Sequence, residues 1–479
     1  MSADARTPGP TTDQNPDTAA TARAEQIVAS WMSGQRWYAA KGLDPALRVI
    51  DAVEETIQDD DADVRVLTWL VIDDAPAVPV LYQVPFTIRT APVDALAHAL
   101  IATDDDRWLY DGPHDPAYAR WLLGTIADAR SLDGTAVAGT PMHVDGQAFI
   151  EPGAVRTAKV LRGEQSNTSI ICEVDGPAVP RVIVKVFRVL HHGENPDVTT
   201  QAALSAGGSL RVPKSVGALA GSWSDVGRSE GTAHGHLAFA QEFLPGLDDA
   251  WRVALAAATD GVEFTDQARA LGAAVAEVHA TLATALPTVE AGPDEVGSML
   301  GSMRQRLDTA ATEVPAIAEH ADAVRALYAM TEELDWPRLQ RIHGDLHLGQ
   351  ALLSPERGWI LLDFEGEPLR PMPERSRPDV PLRDVAGMLR SFDYVAGALA
   401  HADEPVDSGS WAHDARQAFL DGYVAASGED LRAARALLDA FEVDKAVYEA
   451  VYEARNRPDW VGIPVAAVGR LVDRSAPAA

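Results

Sequence analysis

Hydrophobic positions along this chain change their period more than once. From near Thr21, through AEQIVASWM, the spacing is helical. Alternation then takes over, and VRVLTWLVI (64–72) and VPVLYQVPFTI (78–88) predict strands of a curved sheet, with acidic turns such as the DDDAD that starts at Asp59. Residues from Val93 to about Ala129 return to a helical pattern. Strand signals resume near Met142 and continue through VRTAKVL (155–161), SIICEV (169–174) and RVIVKVFR (181–188), all short and β-branched. A helix is expected from Pro196 to Ala206, and further strands include HLAFAQEFL (236–244). From Asp248 onward, long Ala-rich amphipathic segments predict a helical region, broken around 340–370 by strand and loop. No internal repeat is evident. A mixed module, a small β-rich region and a large helical region predict an α+β protein of more than one domain.

Composition narrows the setting. A chain of 479 residues exceeds one ordinary core. With 71 acidic and 40 basic residues, the formal charge of −31 argues against nucleic acid and anionic membrane as partners. No apolar run reaches the roughly 20 residues of a membrane helix. The first residues, rich in Ala, Thr, Pro and Asp, lack a basic-then-apolar pattern, so a disordered tail over 1–20 is expected rather than a secretory signal. The lone cysteine, Cys172, lies in an apolar run and excludes a disulfide framework. Together these features point to the cytoplasm.

The chemistry concentrates between 342 and 365. IHGDLHLGQ (342–350) is followed, eighteen positions after its aspartate (345 to 363), by LLDFEGE. An acid after an HGD turn and a second at the end of an apolar run form the base-and-metal pair of phosphoryl transfer. Asp345 orients a substrate hydroxyl, while Gln350 and Asp363 are placed to hold the magnesium that bridges ATP phosphates. Glu365 adds either a second metal-side acid or a solvated loop charge. His343 and His347 lack the further donors a zinc site needs, and His343 is expected to brace the loop. Upstream, Lys185 sits among apolar residues of a strand and must snorkel or meet an anion; the acidic motifs favour phosphate. RGEQSNTS (162–169), with Ser166, Asn167 and Thr168, reads equally as a phosphate-binding loop or a plain polar hairpin. A carboxylate partner for Lys185 is sought in Glu194 or Asp197. Gln241, Glu242 and Phe243 end a strand, and their backbone is a candidate adenine hinge. On a helix, Lys445, Tyr448, Glu449 and Tyr452 share one face. Their polar tips and aromatic bodies suit a sugar; the bland alternative is a surface Lys–Glu pair beside core tyrosines.

These segments resemble the actinobacterial maltokinases, relatives of aminoglycoside phosphotransferases and, more distantly, protein kinases. The resemblance is carried by QRWYAAKG (35–42), GEQSNTS (163–169), IHGDLHLGQ, LLDFEGEP, ERSRPDVPLRDVAGMLRSFDY (374–394) and KAVYEAVYEARNRPDW (445–460). It implies a bilobal protein-kinase-like fold preceded by an N-terminal α/β cap domain. The cap would span 21–130, a β-rich region and nucleotide-binding N-lobe 131–246, and a helical C-lobe with catalytic loop and sugar site 247–479. The implied reaction is ATP-dependent phosphorylation of maltose at its anomeric hydroxyl, feeding α-glucan synthesis, with trehalose synthase as a partner that supplies maltose. By position, the resemblance makes Asp345 the base, Gln350 and Asp363 the Mg2+ ligands and Lys185 a phosphate contact. It lines the sugar pocket with residues 444–460, and His347 joins them. A glucosamine kinase of the same fold, and a non-catalytic scaffold, are the alternatives.

Overall fold

The computed structural model describes residues 16–59, 62–104, 106–136, 141–161, 163, 166–225, 231–368 and 370–475. Its chain divides into two compact units, 1–193 with 216–243, and 194–215 with 244–479.

The first unit holds two sheets. Helix α1 (Pro16–Met32) precedes β1 (Leu47–Asp59), β2 (Ala62–Asp73), β3 (Val80–Arg89), β4 (Leu100–Asp104) and β5 (Arg107–Asp111). Helix α2 (Pro116–Ala127) then leads to β6 (Ser131–Asp133), β7 (Thr135–Ala136), β8 (His143–Ala148), β9 (Val155–Val160), β10 (Asn167–Val174), β11 (Arg181–Phe187) and β12 (Val189–Leu190). After α3 (Pro196–Ala206), which belongs to the second unit, come β13 (Ser215–Ser224) and β14 (Thr232–Glu242). The first sheet runs β4-β5-β3-β2-β1-β7 with β12 beside β3, and the second β6-β8-β13-β14-β11-β10-β9. Trp37 and Tyr38 of the QRWYAAKG segment are buried with Tyr82, Val84 and Phe86 in the first sheet's core.

Three sequence expectations change here. The helix expected from Thr21 already begins at Pro16, a residue favoured in a first helical turn, so the tail expected over 1–20 is helical from 16; its residues 1–15 lie outside the described ones. The helix expected over 93–129 is α2 alone. A short 3-10 turn (Asp94–Ala99), β4 and β5 occupy the preceding residues, because β5 pairs with β3 while Gly112-Pro113 interrupts and Asp115 caps α2 by accepting from the Ala117 amide. Residues 194–215, assigned from sequence to the nucleotide lobe, group with the helical unit.

The second unit contains α4 (Ala250–Thr259), α5 (Thr265–Ala285), α6 (Pro293–Glu313), α7 (Pro315–Ala318) and α8 (Ala321–Thr331). A hairpin of β15 (Ala351–Ser354) and β16 (Gly358–Leu361) follows, then α9 (Met372–Arg375), α10 (Leu382–Ala400), α11 (Gly409–Ser427), α12 (Arg435–Asn456) and α13 (Gly462–Ser475). Its core runs through α5, α6, α10, α11 and α12. Helices α5 and α11 meet at glycines: a Cβ on Gly272 would stand 2.0 Å from the Phe419 carbonyl oxygen, and one on Gly422 equally close to that of Arg269. The close crossing brings His279 of α5 to Tyr423 of α11. Among the described residues, no helix is long and apolar enough to cross a membrane.

Candidate active site

The loop at Asp345 is held from beneath by a single carboxylate. Asp384, 1 % exposed in the first turn of α10, accepts the His343 amide through Oδ2 at 2.8 Å and the Gly344 amide through Oδ1 at 2.9 Å. His279 Nε2 lies 3.0 Å from the same Oδ2. Burial opposes the charge on Asp384, yet the His279 hydrogen bond and charge, with His343 and the Gly344 amide, keep its pKa below the ordinary value. Gly344 has φ +83°, and a Cβ there would come within 3.2 Å of Gly366 Cα, so the turn requires glycine. His343 braces the loop as the sequence suggested. Its Nε2 donates to the Leu362 carbonyl at 2.7 Å, its Nδ1 accepts the Asp345 amide at 3.3 Å, and its ring lies 4.6 Å from that of Phe364. A carbonyl only accepts and an amide only donates, which fixes the tautomer.

The β15–β16 hairpin delivers the second acid. Leu362 N–H donates to the Gln350 carbonyl, and the next residue, Asp363, adopts φ +67°. For a residue other than glycine this region costs about 1–3 kcal/mol. Gln350 Nε2 donates to Asp363 Oδ2 at 3.1 Å, which turns the amide nitrogen to the acid and leaves the amide oxygen as a lone-pair donor. Asp363, Glu365 and Asp197 each bring one oxygen within 4.8 Å of the others. Asp197, at the start of α3, is fully buried and accepts the Phe364 amide at 2.8 Å. Sequence reading weighed it as a partner for Lys185; it also stands with the acids after β16, while Glu194 is exposed. An all-oxygen set this close suits a hard divalent ion such as magnesium. Asp197, Asp363 and Glu365, with the Gln350 amide oxygen, are the residues that would hold it.

Asp345 also faces α12. Lys445 Nζ donates to Asp345 Oδ1 at 2.9 Å and to Glu367 Oε1 at 2.7 Å, and sits 4.9 Å from the Tyr448 ring centre. Burial opposes the Lys445 charge, but Asp345, Glu367 and Glu449 hold its pKa well above the ordinary lysine value. Glu367, 3 % exposed, is disfavoured as a charge by burial, and Lys445 and Arg370 nevertheless pull it well below the carboxylate range. Asp345, His347, Lys445, Tyr448, Glu449 and Tyr452 line one cavity of about 460 Å³, together with Trp251, Tyr394, Arg457 and Trp460. That volume falls within the roughly 300–1,000 Å³ of small-molecule sites. His347 Nδ1 accepts the Gly349 amide at 3.1 Å, and burial lowers its pKa. Glu449 accepts two bonds from the fully buried Arg390, at 3.0 and 2.9 Å, both on Oε2; burial nonetheless pushes its pKa up. Glu453 pairs with Arg457, whose guanidinium lies over Trp460.

Lys445 thus pairs with Asp345 and Glu367, and the surface Lys445–Glu449 pair of the bland alternative is not what forms. One part of the expected pocket is corrected. Asp444 lies outside the cavity lining, because adjacent helical residues point roughly 100° apart. Its carboxylate takes Arg306 at 3.0 and 2.6 Å and Arg383 at 2.8 Å in a buried ion network.

In the first unit, Lys185 is half-buried on β11, directly opposite Ser169 of β10 and Phe239 of β14, and shares a face with both. Ser166 is exposed and Asn167 half-buried. Arg162, Glu164 and Gln165 of the expected loop lie outside the described residues. Thr168 departs from expectation: it opposes Val186, so its side chain is on the face away from Lys185, and its hydroxyl accepts Arg188 Nε at 2.8 Å. The hinge also departs in one atom. Phe243 N–H is engaged with the Arg181 carbonyl at 3.0 Å, while Gln241 and Glu242 continue the β14 ladder against Ile183 and Val182.

Sequence reading missed Asp384, His279, Glu367 and Arg390. Asp384 and Arg390 stand within 374–394, a segment notable in the sequence but assigned no chemistry. A buried acid on a helix carries no local signal of the loop it will clamp.

Residues 157–437 match the model of the phosphotransferase enzyme family, and residues 31–115 that of the maltokinase N-terminal cap domain. The chain is 30 % identical over 337 residues to a glucosamine kinase of Streptacidiphilus jiangxiensis, covering 66 % of this chain and 74 % of that protein. It is 28 % identical over 390 residues to a glucosamine kinase of Mycolicibacterium smegmatis (strain ATCC 700084 / mc(2)155), covering 77 % and 91 %. A solved structure of a glucosamine kinase in complex with glucosamine, ADP and inorganic phosphate aligns with TM-score 0.64 at 22 % identity, over 92 % of this chain and 98 % of that one. That last likeness is one of fold.

Proposed function

Because the chain belongs to the phosphotransferase enzyme family and carries a maltokinase-type N-terminal cap domain, we propose that it is an ATP-dependent maltokinase, transferring phosphate to the anomeric hydroxyl of maltose. The observation that carries the reading is the cavity where Asp345 meets the Lys445–Tyr452 face of α12. Its acids are matched by cations: Lys445 on Asp345, Arg390 on Glu449, Arg457 on Glu453. A pocket so neutralised favours an uncharged polyol, whose hydroxyls meet the polar tips while its C–H faces meet the Tyr448, Tyr394 and Trp460 rings.

In this reading Asp345 accepts the proton of the attacking hydroxyl, an assistance of about 10²–10⁴-fold. Lys445 fixes the Asp345 carboxylate and sits where the substrate oxygen would approach. Lys185 neutralises phosphate charge, and Asp384 holds the loop rigid so that positioning is settled before reaction. Magnesium, when bound, supplies charge neutralisation on the triphosphate. Trehalose synthase, as a supplier of maltose, belongs to the same reading.

Glucosamine is a second reading, favoured by the names of the curated relatives and by one atom. Both Arg390 bonds end on Glu449 Oε2, which leaves Oε1 as an acceptor for an ammonium. ATP assays with maltose, glucosamine and glucose, with the phosphorylated carbon identified by NMR, separate the two. Maltose with phosphate on C1 is expected. A higher kcat/KM for glucosamine, or phosphate on C6, overturns the maltose assignment.

A further inference from the structure

A buried arginine ties the cap sheet to the strand that carries Lys185. Arg188 follows β11 by one position, stands three residues after Lys185, and is 0 % exposed. Its Nε donates to Thr168 Oγ1 at 2.8 Å and its Nη2 to Asp111 Oδ1 at 2.9 Å, and its Cζ lies 4.6 Å from the Trp37 ring centre. Its carbonyl accepts the Gln83 amide at 2.9 Å, while Gln83 Nε2 donates to the Phe187 and Leu237 carbonyls, both at 2.9 Å. Trp37, Gln83 and Asp111 all lie within residues 31–115, the cap domain. Thr168 is the second residue of β10, just after the polar loop. Arg188 Nε and Nη2 are engaged and Asp111 meets the charge, while Nη1 is buried with no hydrogen-bond partner among the described residues.

We propose that Arg188 is a positioning residue through which the cap domain sets nucleotide affinity. The inference rests on the kinase reading of Lys185 and the loop before β10. Arg188 acts on the Lys185 face through Thr168 of β10. It fixes Thr168, and the β10–β11 ladder places Ser169 opposite Lys185, so a shift at Thr168 displaces the whole Lys185 face. The cap thereby acts mechanically, since Trp37 and Asp111 hold the guanidinium and the guanidinium holds the strand. Lysine at 188 keeps the charge but lacks the fork that serves Thr168 and Asp111 together.

The test uses full-length Arg188→Lys and Trp37→Leu, the second a cap-side change in case the first does not fold. ADP binding with magnesium is measured by calorimetry, the KM for ATP and for sugar are measured separately, and amide exchange is followed over 166–170. Both variants are expected to melt cooperatively, with ADP affinity and ATP KM weakened by roughly tenfold or more, the order that displaced positioning groups produce. Sugar KM should stay within about twofold, since uniform loss of structure would move both constants. Exchange over 166–170 should rise. A folded variant with unchanged ADP affinity, or with both KM values moved alike, overturns the role of Arg188. A wild-type protein that binds no ADP would instead remove the kinase reading on which it rests.

Discussion

Replacing Asp384 by Asn keeps the shape of the side chain beneath the HGD loop and removes its charge. The wild-type carboxylate accepts Gly344 N–H on one oxygen and His343 N–H on the other, with His279 also on the second. An amide has one oxygen, so in either orientation one loop N–H faces an NH2 group. Hydrogen bonds to a charged acceptor contribute about 1.5–3 kcal/mol each, and a buried donor left unsatisfied costs about 1–3 kcal/mol. The variant should therefore lose about 2–5 kcal/mol of stability by urea unfolding at pH 7. Its kcat should fall by about 10²-fold as the Asp345 loop loosens, with ATP KM little changed. The pH dependence has a definite sign. Burial would raise the Asp384 pKa, but the His279 bond and charge carry it below its ordinary value in the folded protein. The stability it contributes is thus fully present above the unfolded value of about 3.9 and is lost as pH falls through the lower folded value. The gap between wild type and Asp384→Asn should close as pH falls below about 4. A gap that persists undiminished in acid, or a variant with wild-type kcat, would refute the clamp.

Other outcomes follow from the same geometry. Asp345→Asn should keep its melting temperature within a few degrees and lose about 10²–10⁴-fold in kcat in a coupled ADP-release assay. Asp363→Gly should hold or raise thermal stability by up to about 1 kcal/mol, because glycine adopts the +67° φ without strain, while turnover disappears; calorimetry and kinetics together check this. Glu367→Gln leaves Asp345 as the carboxylate that Lys445 hydrogen-bonds, so sugar KM should rise while ATP KM holds; a larger effect on ATP than on sugar contradicts the placement. Burial pushes the Cys172 thiol up to about 12, so thiol reagents at pH 8 should label it only after unfolding, and fast labelling of the native protein would contradict its burial.

The helix over 196–206 and the strands around 155–188 were legible because their apolar positions follow their own period, and burial acts residue by residue on that pattern. The misreading of 93–115 as helix has a different origin. Those residues satisfy a loose helical spacing, but β5 finds its ladders on β4 and on β3, the latter well upstream at Phe86 to Arg89, and pairing makes it a strand. Thr168 failed similarly: a strand's alternation assigns faces relative to each other, and the cap residues around Arg188 decide which face looks where.

By itself, then, the sequence determined the reaction chemistry to be expected. An HGD turn, an acid eighteen residues later (345 to 363) and a lysine in an apolar strand are local statements about charge and backbone. Tertiary structure alone decided the partners. Asp384 is 41 residues from His343, Lys445 is 100 from Asp345, and Phe364 is 167 from Asp197. No local pattern encodes those pairs. They exist because helix crossings such as that at Gly272 and Gly422 bring the chain together, and buried charges then persist only where an opposite charge or donor has been brought to meet them.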